Sequence, residues 1–141
     1  MDKSTETPAL IFGAKTEEGK QLQQMLQQAG WTATIATFPP QNAAPIQLQP
    51  NTLVIVVERS GCEQAQMLLN QWQTEIVQGT AALLVLASQP ASSDAMHCLQ
   101  LGAVDYRGWP ALPSEILALA GQVHRQFTAK LPSATLVAPA A

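Results

Sequence analysis

The chain is 141 residues long, which is enough for one domain and too short for two ordinary ones. Hydrophobic residues make up 47% of it and charged residues 12%, a composition that can fill a core and excludes disorder over most of the length. The net charge is −3, and the seven Lys and Arg residues are spread along the chain, so this domain alone offers no basic stripe for nucleic acid. We expect a cytoplasmic protein without a membrane span or a signal peptide.

Two elements are predicted at the start of the chain, after a polar N-terminus, residues 1–8, that we expect to be disordered. Residues 9–12 are a short apolar run, which is typical of a buried strand. From Thr16 onward apolar residues recur at the spacing of one helix face, and Gly30 is a typical helix stop.

The next stretch predicts two strands without a full helix between them. Residues 31–38 are rich in β-branched and aromatic residues, which favours a strand near an edge of the sheet. The segment from Pro39 to Pro50 contains four prolines, so we expect a loop or one turn and a second helix that is shortened or missing. Residues 52–57 are apolar at nearly every position and predict a central strand covered on both faces.

The second half of the chain predicts three helices and two strands in alternation. The strands are expected at residues 81–86 and 103–106. The helices are expected from Ser60 or Gly61 to near Gly79, from a cap at Ser92, Ser93 or Asp94 to Gly102, and from Pro113 to about Ala129. Residues 130–141 are rich in Pro and Ala and predict a linker or tail after a domain of residues 9–129.

Strands that alternate with helices predict a parallel sheet with helices on both faces, because βαβ crossovers are right-handed. Ligands of such sheets bind beyond the carboxyl ends of the strands. The candidate functional segments are therefore residues 13–16, 57–61, 87–90 and 107–110.

Residues 99–110 read LQLGAVDYRGWP and are followed by Ser114, Glu115 and Ile116. This stretch resembles the last part of bacterial response-regulator receiver domains, the CheY-like family, where the run is L-x-x-G-A-x-D-Y-L-x-K-P followed by E-L. The resemblance implies a flavodoxin-like (βα)5 three-layer α/β sandwich over residues 9–127, with a parallel five-stranded sheet of order 2-1-3-4-5. It also implies signalling through an aspartate that is phosphorylated at the end of the third strand.

The residues that carry this chemistry in the family are absent here. An acidic pair must hold Mg²⁺, and a lysine and a hydroxyl must accompany the acyl phosphate. The matching positions hold Gly13 and Ala14 for the acidic pair, Val57 or Glu58 for the phosphoacceptor, Ala87 for the hydroxyl and Trp109 for the lysine. We therefore predict a pseudo-receiver with no catalytic residue, no metal site and no cofactor. Ser88 in a shifted register, or Glu17 or Glu18 bending toward the edge, would each restore part of the site.

Two of these residues, and Pro110 beside them, have two interpretations each. Glu58 is either a permanent mimic of phosphoaspartate or a solvated residue at a strand exit. Trp109 is either an exposed anchor for a partner or a filler of the space left by the acidic pocket. The resemblance implies a cis peptide bond before Pro110, which would otherwise be trans.

The histidines and cysteines have structural interpretations. His97 and His124 are expected at the surface, because no acidic residue stands at metal-ligand spacing from either. Cys62 and Cys98 are far apart in predicted helices, which favours apolar packing over a disulfide framework or a metal motif.

The leading functional prediction is a non-catalytic, phosphorylation-independent signalling domain that binds a protein or an effector domain of its own chain, as the N-terminal part of a longer regulator. The resemblance implies a partner face containing Met96, Gln100, Asp105, Arg107 and Trp109, and a homodimer is possible in this interpretation. The alternative is a sensor of a small molecule or nucleotide, with Lys15, Arg59 and Arg107 near an anion and Trp31 or Trp109 stacking on it. A flavodoxin-like enzyme is disfavoured because the chain offers no convincing nucleophile, base or metal set.

Overall fold

The computed structural model describes residues 8–13, 16–36, 49–59, 61–109 and 112–140. Within these ranges the elements in chain order are β1 (Pro8–Phe12), α1 (Thr16–Gln28), β2 (Thr32–Ile35), β3 (Thr52–Glu58), α2 (Glu63–Gln71), α3 (Gln73–Gln78), β4 (Ala81–Ala87), α4 (Ser92–Leu101), β5 (Asp105–Gly108) and α5 (Pro113–Ala140).

The five strands form one parallel sheet in the order β2-β1-β3-β4-β5. The predicted flavodoxin-like order 2-1-3-4-5 is therefore confirmed. β3 lies in the middle of the sheet, and all its residues are buried, as its apolar sequence predicts. β2 and β5 are the edges, and three of the four residues of β2 are exposed.

Successive side chains of a strand point to opposite faces, so the buried strands contribute to two separate cores. One core includes Ile55 and packs against α1 and α5 through Leu22, Leu26, Ile116, Ala120, Val123 and Phe127. The other includes Val56 and packs against α2 and α4 through Ala65, Leu68, Leu69, Trp72 and Cys98. Helices on both faces are the reason that the inner strands β1, β3 and β4 are apolar over most of their length.

The single helix predicted between residues 60 and 79 is wrong, because α2 and α3 are separate helices. The chain leaves helical geometry at Trp72, where φ is −111° and ψ is 30°. Trp72 is buried, and its ring lies 5.8 Å from that of Phe12 on β1. The break between α2 and α3 therefore occurs at a residue that packs in the core. The predicted helix end at Gly79 is confirmed, since Gly79 has the left-handed backbone typical of a helix C-terminus.

The limits of α4 and β5 differ from those predicted. The N-cap of α4 is Ala91, without a side-chain cap, and Asp94 accepts a hydrogen bond from the Gly61 N–H instead. β5 begins at Asp105, two residues after the predicted start at Ala103. The Ala103 N–H donates to the Cys98 carbonyl at the end of α4 and is unavailable for strand pairing.

α5 continues to Ala140, so the predicted helix end near Ala129 is wrong. The helix continues past Pro132 although proline disfavours a helix interior by about 3 kcal/mol relative to alanine, so local propensity does not account for where α5 ends. A role for residues 130–141 as a linker stays a prediction.

Several predictions fall outside the described residues. They concern residues 1–7, the shortened or missing helix at residues 37–48, and the positions Ala14, Lys15, Ser60 and Pro110. Across the part of the chain that is described, no helix combines the length and the apolar character needed to cross a membrane.

Candidate functional site

The carboxyl ends of β1, β3 and β4 meet at one edge of the sheet, where a cleft of about 460 Å³ opens. The cleft is lined by Gly13, Glu18, Val57, Glu58, Arg59, Ser88 and Gln89. The fold thus brings together candidate residues from three segments that the sequence analysis selected, and it adds Glu18 from α1.

Gly13, which stands where the family has an acidic residue, cannot carry a side chain in this backbone. Its φ of 77° is in the left-handed region. A Cβ atom added to it would overlap the Val57 carbonyl oxygen and lie 2.9 Å from Oε1 of Gln64. A carboxylate at this position would therefore require β1 and β3 to move apart.

Glu58 ends β3 and is buried, with 5% of its surface exposed. Its Oε1 accepts a hydrogen bond from the Gln64 N–H at 3.3 Å, and its Oε2 accepts one from the Ala65 N–H at 3.1 Å. Cys62, the N-cap residue of α2, makes no side-chain cap bond. The Glu58 carboxylate takes that role, since it satisfies amides that the first turn leaves unpaired and lies at the positive end of the helix dipole.

The electrostatics of Glu58 reflect two opposing effects. Burial raises the pKa of its carboxyl above the ordinary value, while the Ala65 and Gln64 amides lower the pKa and the nearby Glu63 and Asp94 carboxylates raise it. The interpretation of Glu58 as a solvated strand-exit residue is therefore wrong. Its role as a phosphoaspartate mimic stays a hypothesis. The Glu58 carboxylate binds α2, and the residue also lines the cleft.

Trp109, at the lysine position, is buried, with 7% of its surface exposed. Its indole Nε1 donates a 2.7 Å hydrogen bond to Oε2 of Glu18, and its backbone N–H donates to the Ala87 carbonyl at 2.7 Å. The exposed-anchor interpretation is therefore wrong, and the space-filling one is supported. Of the two glutamates considered for rescue, Glu18 reaches this edge and Glu17 is exposed.

The hydroxyl position shows the shifted register that the sequence left open. Ala87 is fully buried in β4, and Ser88, one residue later, lines the cleft. The Ser88 Oγ donates to the Glu58 carbonyl oxygen at 3.3 Å, and the Ser88 N–H donates to the same oxygen at 2.8 Å. The hydroxyl is present, but in this geometry it binds the backbone of β3.

The donor set of the cleft does not fit the magnesium ion that the family holds. Among the described residues, no group of three or more His, Cys, Asp or Glu side chains is arranged to ligate a metal. Glu18 is bound to Trp109, and Glu58 is bound to α2. The hard-cation site of a phosphorylatable receiver needs free carboxylates that converge, and these two are engaged elsewhere.

Of the two described cations that were predicted to bind an anion, not both line the cleft. Arg59 does, but Arg107 pairs with Asp105 through a 3.0 Å contact between Nε and Oδ2. Trp31 precedes β2, is buried, and lies with its ring 6.0 Å from that of His124, so its proposed role in stacking on a ligand is wrong. His97 and His124 are exposed, as predicted.

This chain resembles known proteins in its fold, and no match is found through its sequence. No protein-family model matches the chain, and no curated protein matches it in sequence. Among solved structures, an orphan response regulator of H. pylori superposes with a TM-score of 0.61 at 18% identity, over 86% of this chain and 96% of the other. An atypical orphan response regulator, for which a phosphorylation-independent regulatory mechanism is described, gives 0.62 at 18% over the same shares. Full-length FixJ from B. japonicum gives 0.63 at 17%, over 86% of this chain and 59% of FixJ.

The chain has the receiver fold. Its strand order, its alternating helices and its cleft at the carboxyl ends of β1, β3 and β4 follow from that fold. Identities of 17–18% establish a shared architecture, so function has to be argued from the residues of this chain.

The remaining partner-face candidates lie on α4 and β5 of the receiver fold. Met96 is 62% exposed, and Gln100 lies exposed one turn further along α4. Arg107 is exposed on β5, and Asp105 is half-buried beside it. Tyr106 accepts a hydrogen bond at its hydroxyl from the Ala91 N–H, which joins β5 to the start of α4.

Proposed function

We propose that this chain is a non-catalytic, phosphorylation-independent receiver-like module that regulates by binding another protein or another domain of its own chain. We further propose that it forms the N-terminal part of a longer regulatory protein. Full-length FixJ, of which 59% matches this chain in fold, is the kind of arrangement we envisage.

The observation that carries the proposal is the internal use of the polar groups at the sheet edge. Glu58 caps α2, and Trp109 binds Glu18. Phosphoryl transfer would need a free carboxylate as acceptor, a metal and a cationic side chain around it. The described residues supply structural bonds at those positions, which supports a fixed surface in place of a phosphorylation switch.

The surface that we propose for the partner is the exposed part of α4 and β5, with Met96, Gln100, Asp105 and Arg107. An exposed methionine next to an amide and a salt-bridged pair offers apolar contact with polar groups around it, the composition of many protein interfaces. Trp109 is excluded from this surface by its burial.

The test is a titration of the ¹⁵N-labelled chain with Mg²⁺ and beryllofluoride, a phosphoaspartate mimic, followed by amide NMR shifts. Acetyl phosphate and intact mass provide a covalent check. We expect no saturable shift at the amides of Glu58 or Ser88 and no phosphoryl adduct. Saturable shifts there that disappear in Glu58→Gln, or an added phosphoryl mass, would overturn the proposal.

One observation favours a second candidate function, sensing of a small polar molecule. The cleft of about 460 Å³ is within the range of ligand sites, roughly 300–1,000 Å³, and Arg59 lies on its wall. No tryptophan is among its lining residues, so stacking on a nucleotide base has no support there. We propose a small anion-bearing ligand for this alternative.

The alternative is tested with inorganic phosphate and ATP as probes, in wild type and in Arg59→Gln. Saturable shifts around Ser88 and Gln89 that Arg59→Gln weakens about tenfold would support a sensor. Shifts that are linear in concentration, or equal in both proteins, would leave the interaction module as the better account.

A further inference from the structure

The fold brings together Cys62 and Cys98, two cysteines whose sequence spacing gives no sign of contact. Cys62 is the N-cap residue of α2, and Cys98 lies within α4. Both thiols are free and both are buried in the same core, 7% and 0% exposed. The Gly61 N–H, next to Cys62, donates to Oδ2 of Asp94 at 3.0 Å, and Asp94 lies one turn before Cys98 on α4, so the segments that carry the two cysteines adjoin. A disulfide between them requires the two sulfur atoms to reach bonding distance, about 2.05 Å.

We propose that Cys62 and Cys98 form a reversible redox site, which a peroxide oxidises to an intramolecular disulfide joining the N-terminus of α2 to α4. The site itself does not depend on the proposed function. Only its effect on partner binding rests on that function, because α4 carries Met96 and Gln100.

The chemistry balances with hydrogen peroxide as the oxidant. The Cys62 thiolate attacks one peroxide oxygen, the O–O bond breaks, and water leaves after proton transfer, which gives a sulfenic acid at Cys62. The Cys98 sulfur then attacks the Cys62 sulfur, the S–O bond breaks, and a second water leaves. The two thiols lose two protons and two electrons in total, and the peroxide becomes two waters. A dithiol reverses the reaction by thiol–disulfide exchange.

The order of the two cysteines follows from their positions. Cys62 is at the end of a helix and retains some exposure, so peroxide reaches it first. Cys98 is fully enclosed, and burial, together with the neighbouring Cys62, raises the pKa of its thiol to about 12. The groups that face the pair are Glu58 from β3, Asp94 from α4 and Tyr106 from β5. A Cys98 thiolate is scarce at neutral pH, so we expect slow disulfide formation that base accelerates.

The disulfide would add a covalent bond between the start of α2 and α4, which non-covalent contacts already join. The Gly61 N–H donates to Oδ2 of Asp94 at 3.0 Å, which links the loop before α2 to the first turn of α4. The Glu58 carboxylate holds the first turn of α2 from the other side. Closing the sulfur atoms to bonding distance shifts α2 and α4 relative to each other, so oxidation acts on the helix that carries the proposed partner surface.

The test treats the reduced full chain with hydrogen peroxide, blocks remaining thiols with N-ethylmaleimide in denaturant, and measures intact mass. We expect a monomer about 2 Da lighter that takes up no maleimide, and full recovery of two thiols with dithiothreitol. Trypsin leaves both cysteines in one peptide, residues 60–107, so cleavage after Glu63 and Glu75 is needed to locate the cross-link. The rate of closure should rise from pH 7 to pH 9, because a larger fraction of Cys98 is then thiolate.

The controls are Cys62→Ala and Cys98→Ala, each checked for folding by circular dichroism. Cys98→Ala should accumulate a sulfenic acid at Cys62 that dimedone traps, and Cys62→Ala should resist the same peroxide dose. The wild-type result does not depend on whether the variants fold. Any of three results in wild type would overturn the proposal: both thiols still alkylated, a sulfinic acid at Cys62 without the 2 Da loss, or a disulfide only between chains.

Discussion

The indole nitrogen of Trp109 lies 2.7 Å from Oε2 of Glu18, so one hydrogen bond joins residues that are 91 positions apart. It ties the first turn of α1 to the end of β5 across the edge of the sheet. In the receiver family, a lysine and an acidic pocket stand in this region to serve the phosphate. Here an aromatic donor and a carboxylate satisfy each other.

Trp109→Phe keeps the ring and removes the donor. We expect it to lower the free energy of unfolding by about 1–3 kcal/mol, because a charged acceptor loses its partner. Urea denaturation measures the loss. The matched control is Trp31→Phe, whose described ring contact is with His124, and its cost should be smaller. If Trp109→Phe costs as much in a Glu18→Ala background, which has no side-chain acceptor, as in wild type, the bond contributes nothing.

Gly13→Ala tests whether contact with β3 is what excludes a side chain. Gly13 and Gly30 both have positive φ, but an added Cβ at Gly30 meets no atom within 4 Å, whereas at Gly13 it overlaps the Val57 carbonyl oxygen. Gly30→Ala therefore measures backbone strain alone, about 1–2 kcal/mol. We expect Gly13→Ala to cost at least about 2 kcal/mol more in chemical denaturation. Equal costs would show that the contact is relieved easily.

Glu58→Gln should have an effect that depends on pH. Burial, opposed by the Ala65 and Gln64 amides, raises the pKa of Glu58 above 4.5, so the folded state binds the proton more tightly than the unfolded state. The stability from this difference is fully present below about pH 4.5 and is lost as pH rises through the folded pKa. Gln does not titrate, so the variant should lose more stability relative to wild type near pH 4.5 than near pH 7.5.

Urea denaturation at the two pH values tests this sign. Glu17→Gln is the control, because Glu17 is exposed on α1, and its effect should be nearly the same at both. A larger deficit of Glu58→Gln near pH 7.5 would mean that the amide bonds outweigh burial and that the pKa is lowered.

Met96→Glu tests the proposed partner surface through self-association, the simplest partner being a second copy. Met96 is 62% exposed on α4, and Met67, at 44%, is an exposed methionine on α2 outside that surface. We expect wild type to dimerise at high concentration, Met96→Glu to raise the dimer dissociation constant at least about tenfold, and Met67→Glu to leave it within about twofold. Sedimentation velocity over a concentration series measures this. A wild-type chain that stays monomeric, or equal effects of both variants, would argue against a homodimer on α4.

The sequence predicted the sheet because its strands are continuous apolar runs between Gly and Pro residues, a signal that depends on local composition. The break at Trp72 was missed because apolar residues keep helical spacing on both sides of it. The Glu58 contact was missed because it depends on where α2 begins relative to β3. An acidic residue at the end of an apolar strand, a few positions before a helix without a good N-cap, is a signal that could have found it.

For Trp109, the sequence did not distinguish an exposed partner anchor from a residue that fills the space of the acidic pocket. The hydrogen bond to Glu18, which distinguishes them, depends on the tertiary structure. The meeting of Cys62 and Cys98 depends on the packing of α2 against α4, which no sequence spacing encodes.

The close approach of Gly13 to β3 bears on how such a domain changes over evolutionary time. Once the strand ends have settled against a residue without a side chain, an aspartate that arises there by mutation meets a carbonyl oxygen before it can meet a metal ion. A chain with that aspartate would then be less stable than the present one unless β1 and β3 moved apart. The backbone at the ends of β1 and β3 therefore restricts which side chains mutation can introduce at this position.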